Sequence, residues 1–223
     1  RQPIDALNKK QTSYNSRLSD FGKLQSALSN FRSAADALRS GTKFAAFNAV
    51  SSDTSAFSVA ASSSASSGTY SISVTAIAKV ERRISDGVAT SSEAVATVGS
   101  TLTIQGQAIT ITAANNSLAG LRDAINSTAN IGVSASIVFD GTSNHLVLNG
   151  TSTGVANALT ISTDDSGFVL SSIAGALSAT PGNQAAADAS LTVDGMPITS
   201  SSNTISEAIQ GITLNLTNIT SSP

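Results

Sequence analysis

TLTIQGQAITITAANNSLAGLRDAIN, residues 101–126, reads as a tight hairpin followed at once by a short helix. A shortened version returns at residues 191–210 as LTVDGMPITSSSNTISEAIQ. Leu102, Thr103, Ile104, Gly106, Ile109 and Thr110 match Leu191, Thr192, Val193, Gly195, Ile198 and Thr199. After a gap of five residues, Asp123, Ala124 and Ile125 match Glu207, Ala208 and Ile209. In the first copy Gln105-Gly106 supplies the turn, and Leu118, Leu121 and Ile125 form the apolar edge of a helix starting near Ser117. In the second copy Asp194-Gly195 is the strongest short hairpin signal in the chain. There Thr204 with Glu207 predicts a capping box, and Gly211 predicts the stop of a helix. A chain that leaves a sheet, builds a domain and returns to the sheet would place one copy on each side.

Upstream, residues 3–39 carry the strongest periodic signal. Ile4, Leu7, Tyr14, Leu18, Phe21, Leu24, Leu28, Phe31, Ala35 and Leu38 recur at spacings of three, four and seven, one stripe of a helix. Pro3 suits the first turn, Arg39 the last, and Gly41 the position just past the end. Such a helix is about 55 Å long at 1.5 Å per residue. A small domain cannot bury a stripe of that length, so it calls for a coiled-coil partner. That partner is either a later helix of the same full-length chain or another subunit. The residues that would pack or self-associate are Leu18, Phe21, Leu24, Leu28, Phe31 and Leu38.

From Thr42 the period changes to two. FAAFNAVSSD (44–53), AFSVAAS (56–62) and GTYSISVTAIA (68–78) alternate apolar residues with Ser or Thr, as half-buried antiparallel strands do. SSSASSG at 62–68 is a loop. VSASIVFDGTSNHLVLNG (133–150) is a second hairpin turning at Asp140-Gly141. ALTIST and GFVLSSI are further short pieces, and ITLNLTNIT is a final strand. VERRISDG at 80–87 is a polar break, and SATPGNQAAAD at 178–188 is a second. The expected architecture is α+β: a long coiled-coil-like amino-terminal helix followed by two mainly antiparallel β domains with short helices, one inserted in the other. The boundaries are 1–41 for the helix, 42–80 with 187–223 for one β domain, and 81–186 for the insertion.

The composition excludes more chemistry than it offers. Cysteine is absent, so disulfides, zinc thiolates and thiol nucleophiles are excluded. His145 is the single histidine, which removes His-based triads and multi-histidine metal sites and leaves it a plain surface role. Asp164-Asp165 is the one acidic pair, and neighbours on a strand point to opposite faces. Asp140 or Asp188 could meet another acid in space for glycosidase chemistry, but no pattern singles them out. GxGxxG and P-loop patterns do not occur. No enzyme, cofactor or metal is expected.

Residues 1–43 carry eight basic and three acidic residues, a net of +5, while the rest carries four basic and eleven acidic, a net of −7. No Lys or Arg follows Arg122, so most of the chain has no cations to neutralise phosphates, and nucleic acid is not an expected partner. No apolar run approaches the roughly 20 residues that span a bilayer. The chain opens RQPIDALNKK without Met or a visible signal peptide, and the expectation is a piece of a longer protein.

The helix running into SGTKFAAFNAVSSD and GTYSISVTAIAK resembles the amino-terminal region of the flagellar filament cap family, the hook-associated protein 2 family. Residues 98–150 resemble the flagellin-hook motif named for an Ile-Asn pair, here Ile125-Asn126. ADASLTVDGMPITSSSNTISEAIQGITLNL (187–216) resembles the point where a cap chain re-enters its earlier domain. The resemblance implies a ring-shaped homo-oligomer at the filament tip, with helical legs and β-rich heads, that holds exported flagellin while it folds and joins the filament. It implies an extracellular location at the flagellum tip, reached through the flagellar secretion apparatus without a cleaved signal peptide. Residues 1–41 would belong to a leg. Two alternatives stay open at this point. One is a tip-exposed adhesin for host glycans or mucin; the other is a different axial protein, such as a hook–filament junction protein.

Overall fold

The computed structural model describes residues 2–39, 47–165, 167–174 and 181–220. The periodic segment forms one helix, α1 (Gln2–Arg39), with Asp5 in its first turn and Arg39 in its last, each complementing the helix dipole. Lys23 with Asp20 and Arg32 with Asp36 pair along its surface, but these are exposed ion pairs and contribute little. Gly41 and the first three residues of FAAFNAVSSD lie outside the described residues.

Among the described residues, the strands make four three-stranded antiparallel sheets. In chain order the strands are β1 (Phe57–Ala61), β2 (Ile72–Ala76), β3 (Arg82–Ile84), β4 (Thr101–Ile104), β5 (Gln107–Thr110), β6 (Val133–Phe139) and β7 (Asn144–Gly150). There follow β8 (Ile161–Thr163), β9 (Ala189–Val193), β10 (Met196–Ser200), β11 (Thr204–Ile209) and β12 (Ile212–Leu216), while α2 (Leu118–Ser127) lies between β5 and β6. The sheets β1-β12-β11 and β10-β9-β2 enclose one apolar cluster, including Phe57, Val74, Leu191, Val193, Ile205 and Leu214. The sheets β3-β7-β6 and β5-β4-β8 enclose another with α2, including Leu102, Ile104, Leu121, Ile125, Leu146 and Leu148. The first cluster draws its residues from both sides of the sequence that builds the second. The fold class is α+β, as the change of period from helix to strand predicts.

Both predicted hairpins form with the same turn geometry. Gln105 and Gly106 have φ of 50° and 78°, and Asp194 and Gly195 have 49° and 82°. Two successive left-handed residues are what a two-residue hairpin needs to follow the strand twist. The register matches as well, with Leu102 opposite Ile109 and Leu191 opposite Ile198. Beyond the hairpins the copies diverge. In the first, Ser117 caps α2 by accepting from the Gly120 amide, and Leu118, Leu121 and Ile125 are buried.

In the second copy the expected helix at 204–210 is strand β11. The Thr204 hydroxyl bonds Asn215 Oδ1 across the hairpin instead of making a capping box with Glu207, and Gly211, at φ +75°, turns the chain into β12. Two causes favour the strand. A helix there would have about two turns, too few to stand without tertiary help. The alternating ITLNL lies one turn away and pairs Ile205 with Leu214 and Ile209 with Ile212.

Two other expectations are corrected. Residues 47–53 form no strand: Phe47 and Val50 are exposed, and Asp53 Oδ1 accepts from the amides of Ser55 and Ala56 to make a turn. VERRISDG is no polar break in the solvent. Arg82–Ile84 is a strand paired with β7, and Glu81, Arg83 and Ser85 are buried. In SATPGNQAAAD, residues 178–180 lie outside the described residues. Gln184 and Ala187 bridge to Arg82 and Lys79, so the two polar stretches run side by side.

Candidate functional site

The predicted packing residues Leu18, Phe21, Leu24, Leu28 and Phe31 lie along α1, each between 63% and 72% exposed. The side chain of Leu38 lies outside the described residues. Ile4, Leu7 and Tyr14 extend the exposed stripe toward the amino terminus. Eight large apolar side chains facing solvent along one helix cost free energy that only a covering surface recovers. The stripe is therefore the first candidate for function.

The acidic residues considered for chemistry act instead as ties between loops. Asp165 accepts from the Thr97 amide at 2.6 Å, the Thr97 hydroxyl and the Gly167 amide, and its carboxyl is held below the usual carboxylate range by those bonds, the Thr97 amide first. Asp164 accepts from the Thr101 amide at 2.6 Å. Both carboxylates thus hold the segment leading into β4, and neither is aimed at a shared site. Asp188 accepts from the Val155 amide. Among the described residues no group of three metal-ligating side chains converges.

His145 is half-buried rather than a plain surface residue. Its Nδ1 lies 2.8 Å from the Ser85 carbonyl oxygen, and its Nε2 lies 3.1 Å from Asp140 Oδ2. Both nitrogens face acceptors of the protein itself, so in this conformation neither is turned toward a substrate.

Composition gives no hint of the buried pair beside β3. Arg83 Nε donates to Glu81 Oε1 at 2.6 Å, and the same guanidinium donates to the carbonyls of Ile173 and Leu159. Glu81 Oε2 accepts from the Leu159 amide at 3.0 Å. The available signal is the period of two in Glu81, Arg83 and Ser85, which puts all three on one face of a strand. A groove of about 640 Å³ lies between β10 and β11, lined by Met196, Ile198, Ile205, Glu207 and Ala208 among others. Glu207 is its one ionisable side chain, which offers no acid–base pair.

A long helix with an exposed apolar stripe, joined in one chain to antiparallel β sheets whose polar groups tie loops together, defines an α+β protein with a candidate contact face. Comparison with known proteins narrows this. The family model for the flagellar hook-associated protein 2 N-terminus matches residues 1–81, and that for the flagellar hook-associated protein 2 C-terminus matches residues 186–223. The two together cover more than half of the chain. The chain is 40% identical over 219 residues to flagellar hook-associated protein 2 of Escherichia coli K12, covering 92% of this chain and 46% of that protein. It is 32% identical over 222 residues to the B-type flagellar hook-associated protein 2 of Pseudomonas aeruginosa PAO1, covering 92% of this chain and 47% of that protein.

Among solved structures, the D1-D2-D3 domains of the E. coli flagellar cap protein FliD superpose with a TM-score of 0.80 at 40% identity, covering 92% of this chain and 60% of that one. The D2-D3 domains of the Serratia marcescens flagellar cap protein FliD give a TM-score of 0.65 at 30% identity, covering 75% and 95%. The chain belongs to the flagellar hook-associated protein 2 family, the family of flagellar cap proteins. It spans about half the length of the curated relatives it matches.

Proposed function

We propose that this chain is the leg and head portion of a cap at the flagellar filament tip, which oligomerises and confines exported flagellin while it folds and inserts. The observation that carries this is the family match on both flanks, residues 1–81 and 186–223. The exposed stripe on α1 supports it, because Leu18, Phe21, Leu24, Leu28 and Phe31 fit a leg that is covered only in the assembly, and Leu38 continues the same spacing in the sequence. Residues 1–41 are then part of the leg, 42–80 with 187–223 one head domain, and 81–186 an inserted distal domain. The two apolar clusters and the unmatched stretch between the two family models support that division. The protein works outside the cell, at the filament tip, and is exported without a cleaved signal peptide.

No reacting group is needed for this task. Without a lid, a subunit leaving the channel diffuses away faster than it orders its terminal segments against the filament. A cell lacking the full-length gene is expected to release flagellin monomer into the medium and to swim poorly, with both defects reversed by the restored gene. Normal filaments in the deletion strain would overturn the cap assignment. Native mass spectrometry of the full-length protein gives the subunit number. No observation among the described residues favours glycan binding or a junction role.

A further inference from the structure

Both ring nitrogens of His145 face acceptors. Nδ1 lies 2.8 Å from the carbonyl oxygen of Ser85, on the segment leaving β3, and Nε2 lies 3.1 Å from Asp140 Oδ2, in the β6–β7 turn. A carbonyl oxygen cannot donate, and an ionised carboxylate only accepts. A neutral imidazole has one N–H and satisfies one of the two; the imidazolium satisfies both. Asp140 stays ionised across the range in which the ring titrates. Its Oδ1 accepts from the Ser143 and Thr142 amides, and these bonds, with the one from His145, lower its carboxyl to about 2.

The ring is also held sterically. A Cβ at Gly87 would lie 3.0 Å from His145 Cε1 and 2.6 Å from the Ser143 Cβ, so the Gly87 backbone presses directly on the turn. Next to it the Val88 and Asn144 backbones exchange hydrogen bonds of 2.9 and 2.8 Å. The charges acting on the ring are both negative, Asp140 in the turn and Asp86 beside Ser85. The Ser85 carbonyl first, then Asp140 and Asp86, raise the imidazole above its ordinary value against the opposing effect of burial. Across the hairpin from His145 and Asn144 stand the exposed Val138 and Phe139.

We propose that protonated His145 is a clamp between the β6–β7 turn and the segment leaving β3, holding the apolar tip at Val138 and Phe139 in place until the proton leaves. The sign follows from linkage. A group whose folded value is raised stabilises fully below its unfolded value near 6.5, and that stabilisation is lost as pH rises through the folded value. The clamp is closed in mild acid and opens toward alkaline pH.

The test uses the 223-residue chain with isotope-labelled histidine, which gives a single imidazole signal. Titration by NMR is expected to place its midpoint above 6.5, and Asp140→Asn to move it down. Protection factors of the Val88 and Asn144 amides, corrected for intrinsic exchange, are expected to fall several-fold as pH rises through that midpoint. The fall should be absent in His145→Gln. A midpoint at or below 6.5, one unmoved by Asp140→Asn, or protection independent of pH would overturn the clamp. Should His145→Gln fail to fold, the Asp140→Asn titration decides, because Asn keeps an oxygen for the Thr142 and Ser143 amides.

Discussion

Arg83 and Glu81 stand two residues apart on one face of the chain entering β3, joined at 2.6 Å with both side chains about 4% exposed. Their remaining polar atoms reach the backbone of Leu159 and Ile173, some eighty residues downstream. A buried pair is weak evidence of stability by itself, since desolvation offsets much of the attraction, but removing one partner strands the other charge. Glu81→Leu is expected to cost about 3–5 kcal/mol in denaturant unfolding. Glu81→Leu with Arg83→Met should cost less than the single change. A single substitution as mild as a surface mutation would show that water reaches the pair.

Gly154 sits at φ +99°, with a hypothetical Cβ 2.5 Å from the Ser201 Cβ. The neighbouring Thr153 hydroxyl donates to the Ser201 carbonyl at 2.6 Å, and the Gly154 amide donates to the Lys79 carbonyl. These contacts join the two β bodies. Gly154→Val should destabilise by about 1–3 kcal/mol through backbone strain and overlap. Adding Ser201→Gly should recover only a small part of it, since the Ser201 Cα and carbonyl oxygen, 2.7 and 2.9 Å from the hypothetical Cβ, stay in place and the backbone strain remains. Thermal melting of the single and the double variant against the unsubstituted chain measures both effects.

The exposed stripe leads to a comparison between two contexts. Phe21→Asp or Leu28→Asp should leave the melting of the 223-residue chain unchanged, because both side chains already face solvent. In the full-length assembled cap the same changes should cost about 3 kcal/mol or more, as an unpaired charge does when covered. Equal behaviour in both contexts would mean that the stripe has no cover in the assembly.

Expressed alone, residues 81–186 should fold, since their apolar cluster is closed by two sheets and α2. A single cooperative transition in denaturant is the expected result. A disordered peptide would show that the bridge of Lys79 to Ala187, which lies outside this stretch, is needed to hold β3 in place.

In acid the carboxylates dominate. Asp140 is lowered to about 2, and Asp53 and Asp165 are lowered too, chiefly by the Ser55 hydroxyl and the Thr97 amide respectively. A lowered folded value gives stability that is present above the unfolded value near 3.8 and lost as pH falls through the folded one. Stability should therefore drop between about pH 4 and pH 2, and Asp140→Asn should flatten that slope. Urea titrations at half-unit pH steps measure it.

Local chemistry made much of this molecule legible in advance. Gln105-Gly106 and Asp194-Gly195 took the left-handed turn because Gly carries no Cβ and its partner tolerates positive φ, whatever surrounds them. Ser117 capped α2, and the heptad-like spacing from Ile4 to Phe31 lies on one long helix whose large apolar residues are exposed. Those features depend on neighbours a few residues apart, and so a linear pattern carries them. Tertiary structure decided the rest. Ile205, Ala208 and Ile209 suit a helix edge as well as a strand, and only the nearby β12 selected the strand. VERRISDG looks polar enough for a loop, yet carbonyls of Leu159 and Ile173 waited to receive Arg83. His145 had no visible partner until the fold brought it the Ser85 carbonyl from sixty residues away. Strand pairing and buried hydrogen bonds depend on which distant segments become neighbours, and one stretch of sequence does not contain that information.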